Sequence, residues 1–192
     1  MPTCRPSYPI ETARLSLRPF RADDQDDLLA IFSREDVTRY LYWPQLGPDE
    51  VREVLGRWTT QVAIEHEGEA ISLAVCRRDS GALIGEAMLK LLSETDSQGE
   101  IGFMFHPDHH GQGFATEATR ELLKLGFDDL GLHRIIGRLE ARNRPSARVL
   151  ERLGMRLEAH FRENEWVKGE WNDEQVYALL RSEWDAAGGQ GA

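Results

Sequence analysis

Long apolar runs are missing from this 192-residue chain, and no stretch approaches the ~18 residues that cross a bilayer as a helix. No membrane partner is therefore expected. Cysteine is scarce: Cys4 and Cys76 have no metal-type spacing, and a reducing compartment gives them little reason to pair. Basic charge is in deficit. Lys and Arg number 23 against 33 Asp and Glu, a net charge of −10, which argues against binding a nucleic-acid backbone. The opening Met1-Pro2-Thr3-Cys4-Arg5-Pro6 lacks the apolar core of a secretion signal, so a cytoplasmic location is expected. There is no internal repeat and no low-complexity linker. What is present is ordinary globular usage, 41% hydrophobic and 29% charged, at a length that suits one domain.

The hydrophobic period changes repeatedly along the chain, which predicts a mixed α/β fold. Leu15, Leu17 and Pro19-Phe20 end a short strand, and Asp23 stands as an N-cap before a first helix carrying Leu28, Leu29, Ile31 and Phe32. Gly47-Pro48-Asp49 opens a second helix, expected to run to about His66 with Val51, Val54, Leu55 and Trp58 on one face. Alternation then predicts a meander of three strands: Ile71–Cys76, Leu83–Leu92 and Glu100–Phe105. Gly113–Leu130 reads as the strongest helix, with Ala115, Ala118, Leu122 and Leu125 opposite Glu117, Glu121, Lys124 and Asp128. A strand at Arg134–Glu140, a short helix from Pro145 ended by Gly154, and strands near Met155–Phe161 and Glu174–Leu180 complete the pattern. Residues 1–9 read as an N-terminal extension, 10–184 as the domain, and 185–192 as a flexible, small-residue tail.

The stretch Glu100 to Ala118 carries the chemistry. A strand runs into His106-Pro-Asp-His-His110-Gly-Gln-Gly113, and that loop opens the strong helix. Backbone N–H groups converge at such a junction, the helix dipole adds positive potential, and Gly111 and Gly113 let an anion approach closely. Taken alone, a G-x-G also suits a plain strand-to-helix turn. A dinucleotide fingerprint lacks its third glycine, because Thr116 stands there, and no Lys follows to make a Walker loop. His106, His109 and His110 match no helical metal pair, and no metal is expected.

From Ile10-Glu11-Thr12-Ala13-Arg14-Leu15 to Trp184 the sequence resembles the GNAT acetyltransferase superfamily. It looks most like the branch of ribosomal-protein N-terminal acetyltransferases (RimJ/RimL-like). The specific motifs are Glu100-Ile101-Gly102, Gly111 to Ala118, Asn143-Arg144-Pro145-Ser146 with Leu153-Gly154-Met155, and Lys168 to Asp173. The resemblance implies one α/β domain. Its sheet would be mostly antiparallel with two central strands splayed, flanked by about four helices. It also implies acetyl-CoA as co-substrate. The family loop pattern Gln/Arg-x-x-Gly-x-Gly/Ala falls on His110, Gly111, Gln112, Gly113, Phe114 and Ala115, with Thr116 next; His110 departs from the usual Gln or Arg. The pantetheine arm is expected along Phe103, Met104 and Phe105 between the splayed strands, with Asn143 and Ser146 on the facing side.

Transfer to an amine needs a base, since an amine is mostly protonated at neutral pH. Glu100 is the candidate; its other reading is an ordinary strand carboxylate. Many relatives supply a Tyr to the departing thiolate, but Leu150 occupies that position, and Ser146 is the substitute hydroxyl. Ser146 also reads as a plain first-turn helix residue. Trp43, Glu163, Glu165, Trp166 and Trp171 are candidates for the acceptor pocket. Six acids against two bases in residues 21–36, and five against one in 163–174, suggest a cationic acceptor, either a basic protein N-terminus or a small amine. Two other readings remain open. One is acetylation of a polyamine or aminoglycoside; the other is a non-catalytic acyl-CoA-binding module, favoured by the missing Tyr.

Overall fold

Strand formation in this chain follows its β-branched and apolar alternation, and each turn pairs the next strand with its neighbour. The computed structural model describes residues 3–188. The strands are β1 (Ile10–Glu11), β2 (Leu15–Pro19), β3 (Ala70–Arg77), β4 (Leu83–Ser93), β5 (Gln98–Phe105), β6 (Arg134–Glu140), β7 (Arg156–Val167) and β8 (Glu170–Leu180). They form one sheet in the order β1-β2-β3-β4-β5-β6-β8-β7. Every pairing is antiparallel except β5–β6, which is parallel and holds for only three residues: Gln98↔Arg134, Gly99↔Ile135 and Glu100↔Ile136. Beyond Glu100 the two strands part. β5 stays with β4 as far as Phe105, and β6 stays with β8 as far as Glu140.

Six α-helices lie among the described residues: α1 (Gln25–Phe32), α2 (Glu35–Thr38), α3 (Pro48–Trp58), α4 (Phe114–Lys124), α5 (Arg144–Arg152) and α6 (Arg181–Ala186). Two buried clusters sit on opposite faces of the sheet. Leu28, Ile31, Phe32, Val51 and Leu55 of α1 and α3 pack with Ala74, Cys76 and Met104. Ala118, Leu122 and Leu123 of α4, with Ala147, Leu150 and Trp184, pack with Ile84, Leu89, Ile101 and Ile135.

Several expected boundaries move. α3 stops at Trp58, short of His66, because the hydroxyls of Thr59 and Thr60 donate back to the carbonyls of Gly56 and Arg57. The chain then turns edgeward, and Ile64 is buried against Cys4 through a pair of 2.9 Å backbone bonds instead of extending the helix. Residues 3–9 are thereby tied to the domain, with the Tyr8 hydroxyl donating to Val62 O (2.9 Å). Asp23 caps nothing. Its neighbour Asp24 is buried and accepts both Arg18 Nη1 (2.8 Å) and Nη2 (2.6 Å). β7 and β8 reach past their expected ends into a tight hairpin at Lys168–Gly169, so residues 163–167 and 170–173 are strand and not loop. The expected frayed tail lies largely outside the described residues; up to Ala186 the chain is the short helix α6.

Candidate active site

Gly111 and Gly113 hold positive φ angles, +73° and +82°, and Gly113 is the N-cap of α4. This conformation costs other residues 1–2 kcal/mol or more, so the glycines are required by backbone shape. The backbone N–H groups of Gly111 through Thr116 find no acceptor among the described residues, whereas the next, Glu117, donates to Gly113 O. Unpaired donors at the positive end of an amphipathic helix make an anion cradle.

Arg14 fixes the loop from below. Its Nη1 donates to Gln112 O (2.9 Å), its Nε to Glu117 Oε2 (2.7 Å), and its guanidinium lies 4.6 Å from the Phe114 ring centroid. Glu117 also accepts the Arg14 N–H and the Thr12 hydroxyl, and its carboxyl is held below the ordinary range by these hydrogen bonds against the opposing effect of burial. Gln112 turns its side chain to Asp108 O (3.2 Å) and offers the cradle only its backbone.

A cavity of about 410 Å³ lies between this loop, α5 and the parted end of β5, lined by Phe103, Met104, Phe105, His110, Ala115, Thr116, Asn143 and Ser146, among others. His106 N donates to Ile84 O (2.8 Å), which fixes the alternation of β5 against β4. The backbone groups of Ile101, Phe103 and Phe105 consequently face away from β4, toward the gap that β6 has left. His110 Nε2 donates to Phe105 O (3.0 Å), so this histidine closes one end of the opened edge. Asn143 Oδ1 caps α5 by accepting the Ser146 N–H (3.2 Å). Leu150 is buried against Gly137, where a Cβ would come within 2.9 Å of its Cδ1; apolar packing with β6 fills the position of the absent Tyr.

A second cavity of about 430 Å³ opens on the α1–α3 side of the sheet. Both cavities are lined by Tyr40, Leu41, Phe103, Met104, Asn143 and Ser146, so one cleft passes through the gap between β5 and β6. Glu100 lines the second cavity at the last residue of β5 that pairs with β6. Burial lifts its carboxyl above the ordinary range, against the pull of Arg138, whose Nε stands 3.8 Å away, and of Lys90.

Of the expected acceptor residues, Trp43 and Glu165 line this cavity, while Glu163, Trp166 and Trp171 do not. Trp166 and Trp171 form a cross-strand pair at the hairpin tip, ring centroids 5.3 Å apart and both exposed. Glu163 lies in a bulge of β7 with its N–H bonded to Asp173. The acidic segment 21–36 is also elsewhere: Asp24 is paired internally, and Asp36 lines the coenzyme-side cavity. Sequence reasoning missed Tyr40, Tyr42 and Glu86, and it assigned Trp58 to the core. The run Tyr40-Leu-Tyr-Trp43 was the available signal for the first two. Trp58 packs in tilted contact with Phe20 and Phe32 and still reaches the cavity. No cluster of three metal-ligating side chains occurs among the described residues.

Glu86 is 6% exposed in β4, and burial pushes its carboxyl up to about 8, against the opposing effect of its neighbour Ser72. Unfolded, the same group titrates near 4.5. Between those values the folded chain keeps a proton that the unfolded chain has lost, so stability falls as pH rises from about 5 to 8. At about 1.4 kcal/mol per pH unit, the loss reaches about 3–5 kcal/mol. Glu86→Gln is expected to flatten this decline, giving a Tm advantage over the parent of about 5–10 °C at pH ~8.5 relative to pH ~5.5. Parallel Tm–pH curves for the two proteins would contradict the assignment.

Comparison with known proteins agrees with this geometry. The family described as Acetyltransferase (GNAT) domain matches residues 14–156, which includes the loop, the cradle and both parted strands. The chain belongs to the GNAT acetyltransferase family. Among its relatives, the uncharacterised N-acetyltransferase YnaD of Bacillus subtilis is 32% identical over 178 residues, covering 92% of this chain and 99% of that protein. YdaF of Bacillus subtilis, which bears the provisional name of a ribosomal N-acetyltransferase, is 30% identical over 186 residues, covering 95% and 97%. The crystal structure of a GNAT-family acetyltransferase from Bacillus anthracis superposes with a TM-score of 0.81 at 29% identity, covering 91% of this chain and 99% of that one. As a GNAT protein with N-acetyltransferase relatives along more than nine-tenths of its length, the chain is an acetyl-CoA-dependent N-acetyltransferase. No helix among the described residues is long and apolar enough to cross a membrane.

Proposed function

We propose that this GNAT enzyme passes the acetyl group of acetyl-CoA directly to a primary amine on a cationic acceptor, a basic protein N-terminus or a small amine, within a ternary complex. The observation that carries this reading is the continuity of the two cavities through the gap beyond Glu100. A coenzyme arm entering from the α4 side and an amine entering from the α1–α3 side meet there.

On the coenzyme side, the N–H groups of Gly111 through Thr116 hold the pyrophosphate, and Arg148 and Arg152 of α5 line the same cavity with positive charge. Acetyl-CoA supplies the acetyl thioester. The backbone of Phe103 and the N–H of Phe105 remain for hydrogen bonding to the arm, since Phe105 O is taken by His110. Glu100 accepts the ammonium proton, and a carboxyl raised above its ordinary value suits a base working near neutral pH. Backbone N–H groups of β5 beyond the parting stabilise the oxyanion, and the Ser146 hydroxyl donates to the departing sulfur. The kinship with YdaF supports placement in the ribosomal-protein N-terminal acetyltransferase branch, and a cytoplasmic site of action belongs to the same proposal.

The acceptor's charge follows from the second cavity. Glu100, Glu140 and Glu165 line it against Lys90 and Arg138. Charges of this kind attract cations over the ~8 Å screening length of physiological salt and lose that reach as salt rises. With matched peptides that differ only in net charge, kcat/KM is expected to favour the basic peptide by about tenfold at low salt. The preference should shrink at high salt. Equal values for basic and acidic peptides at low salt would sink the cationic-acceptor reading.

A further inference from the structure

The acceptor-side cavity contains one carboxyl group that the transfer step leaves unused. Glu86 lines the cavity yet is 94% removed from solvent, since only 6% of it remains exposed. The other acids there have basic partners or a phenol. Glu100 faces Arg138, Glu140 accepts Arg142 Nε (2.9 Å), and Glu165 lies beside the Tyr42 phenol. Among the described residues no basic side chain reaches ion-pair distance of Glu86. Its polar neighbour Ser72 already donates its hydroxyl to Gln61 Oε1 (2.8 Å). A carboxyl buried without a cation is costly and is retained where something supplies the charge.

Register relates Glu86 to the reacting end. Glu86 pairs with Met104 and Lys90 pairs with Glu100, so Glu86 and Glu100 share one face of the β4–β5 ribbon. Four residues of strand separate them, about 13 Å of backbone. Trp43 and Trp58 line the same cavity with aromatic surface, which also favours ammonium groups.

We propose that Glu86 binds a second ammonium group of the acceptor, distal to the nitrogen that is acetylated, so that the acceptor is a linear aliphatic diamine. This rests on the acyl-transfer reading above and specifies its substrate class. A diamine of hexane length, with a charge-assisted hydrogen bond at each end, spans the distance between the two carboxyls. Burial keeps the empty carboxyl protonated up to about 8, and the arriving ammonium takes the place of that proton.

The test compares diaminohexane with hexylamine, using the parent enzyme and Glu86→Gln. In the parent, kcat/KM is expected to favour the diamine by about tenfold or more, the worth of one charged hydrogen bond. In Glu86→Gln the ratio should fall to near one while hexylamine turnover stays within about threefold of the parent value. Calorimetric titration of diaminohexane into CoA-saturated protein gives an independent readout, with binding expected in the parent and lost in the variant. An unchanged acetyl-CoA melting shift in Glu86→Gln shows that the variant is folded. A diamine preference that survives in the variant overturns the proposal, as does an equal fall for both amines or a basic peptide preferred in a manner indifferent to Glu86. Absence of turnover with every amine would instead refute the acyl-transfer reading; the calorimetric difference still decides the role of Glu86.

Discussion

Gly113→Leu is expected to abolish the rise in melting temperature that saturating acetyl-CoA gives the parent enzyme. At a coenzyme concentration about a thousandfold above Kd, the bound state gains about 4 kcal/mol. For a chain of this length that is a Tm rise of roughly 8–16 °C. The backbone of Gly113 removes it. Its φ of +82° is unfavourable for leucine, whose Cβ would also stand in contact, at 3.4 Å, with Nη2 of Arg14, the side chain whose Nη1 pins Gln112 O. Relief of the backbone strain rotates the peptides around Gly113, and the N–H groups that converge on the pyrophosphate turn apart. The cradle is thus lost through its backbone more than by a side chain filling it. Gly111→Ala is the matched control: φ is again positive, at +73°, but a Cβ there meets nothing within 4 Å, so part of the coenzyme-induced rise should remain. An undiminished rise in Gly113→Leu would show that the coenzyme is held elsewhere.

Glu100→Gln is expected to lower kcat by about 100-fold or more, the usual contribution of a positioned general base. The amide keeps the shape of the side chain and its place opposite Lys90, but it cannot take a proton. In the parent, kcat/KM against pH should show an acidic limb above the ordinary carboxylate range, because burial favours the neutral form of Glu100 more than Arg138 and Lys90 oppose it. The variant should lack that limb. Ser146→Ala should cost only about tenfold, since solvent can replace a weak hydroxyl donor to a thiolate. If Glu100→Gln retains parental turnover, the base is another group; Glu165, which lines the same cavity, is then the first to examine, whereas Glu163 lies outside it.

The parts of this site set by local backbone demands were legible in the sequence. Gly111 and Gly113 occupy positions that need positive φ, and the amphipathic helix behind them advertised its own N-terminus. Period-2 alternation located β3, β4 and β5 to within a residue or two. The parting of β5 and β6 came only from the family resemblance. It depends on β6 arriving parallel after α4 and pairing over three residues, a long-range event that no local pattern encodes. The end of α3 was misplaced because apolar residues continue beyond Trp58, although Ile64 belongs to the core on the other face of the sheet. Trp166 and Trp171 were aromatic and near the correct hairpin, but strand pairing turned them against each other and away from the cleft. Glu86 was the missed signal: a lone acid inside an apolar strand buried on both faces has to be explained by what it meets. Arg14 was quoted only as part of a motif, yet it braces the cradle loop.

Direct transfer between two substrates held in one cleft is the central claim, and initial-rate kinetics with acetyl-CoA and a cationic amine varied together test it most directly. Thiol release should accompany one acetyl group gained by the amine, and double-reciprocal lines should intersect, since both substrates must be bound before the acetyl group moves. Parallel lines, which report an acetylated enzyme between two half-reactions, or thiol release without an acetylated amine, would contradict the account.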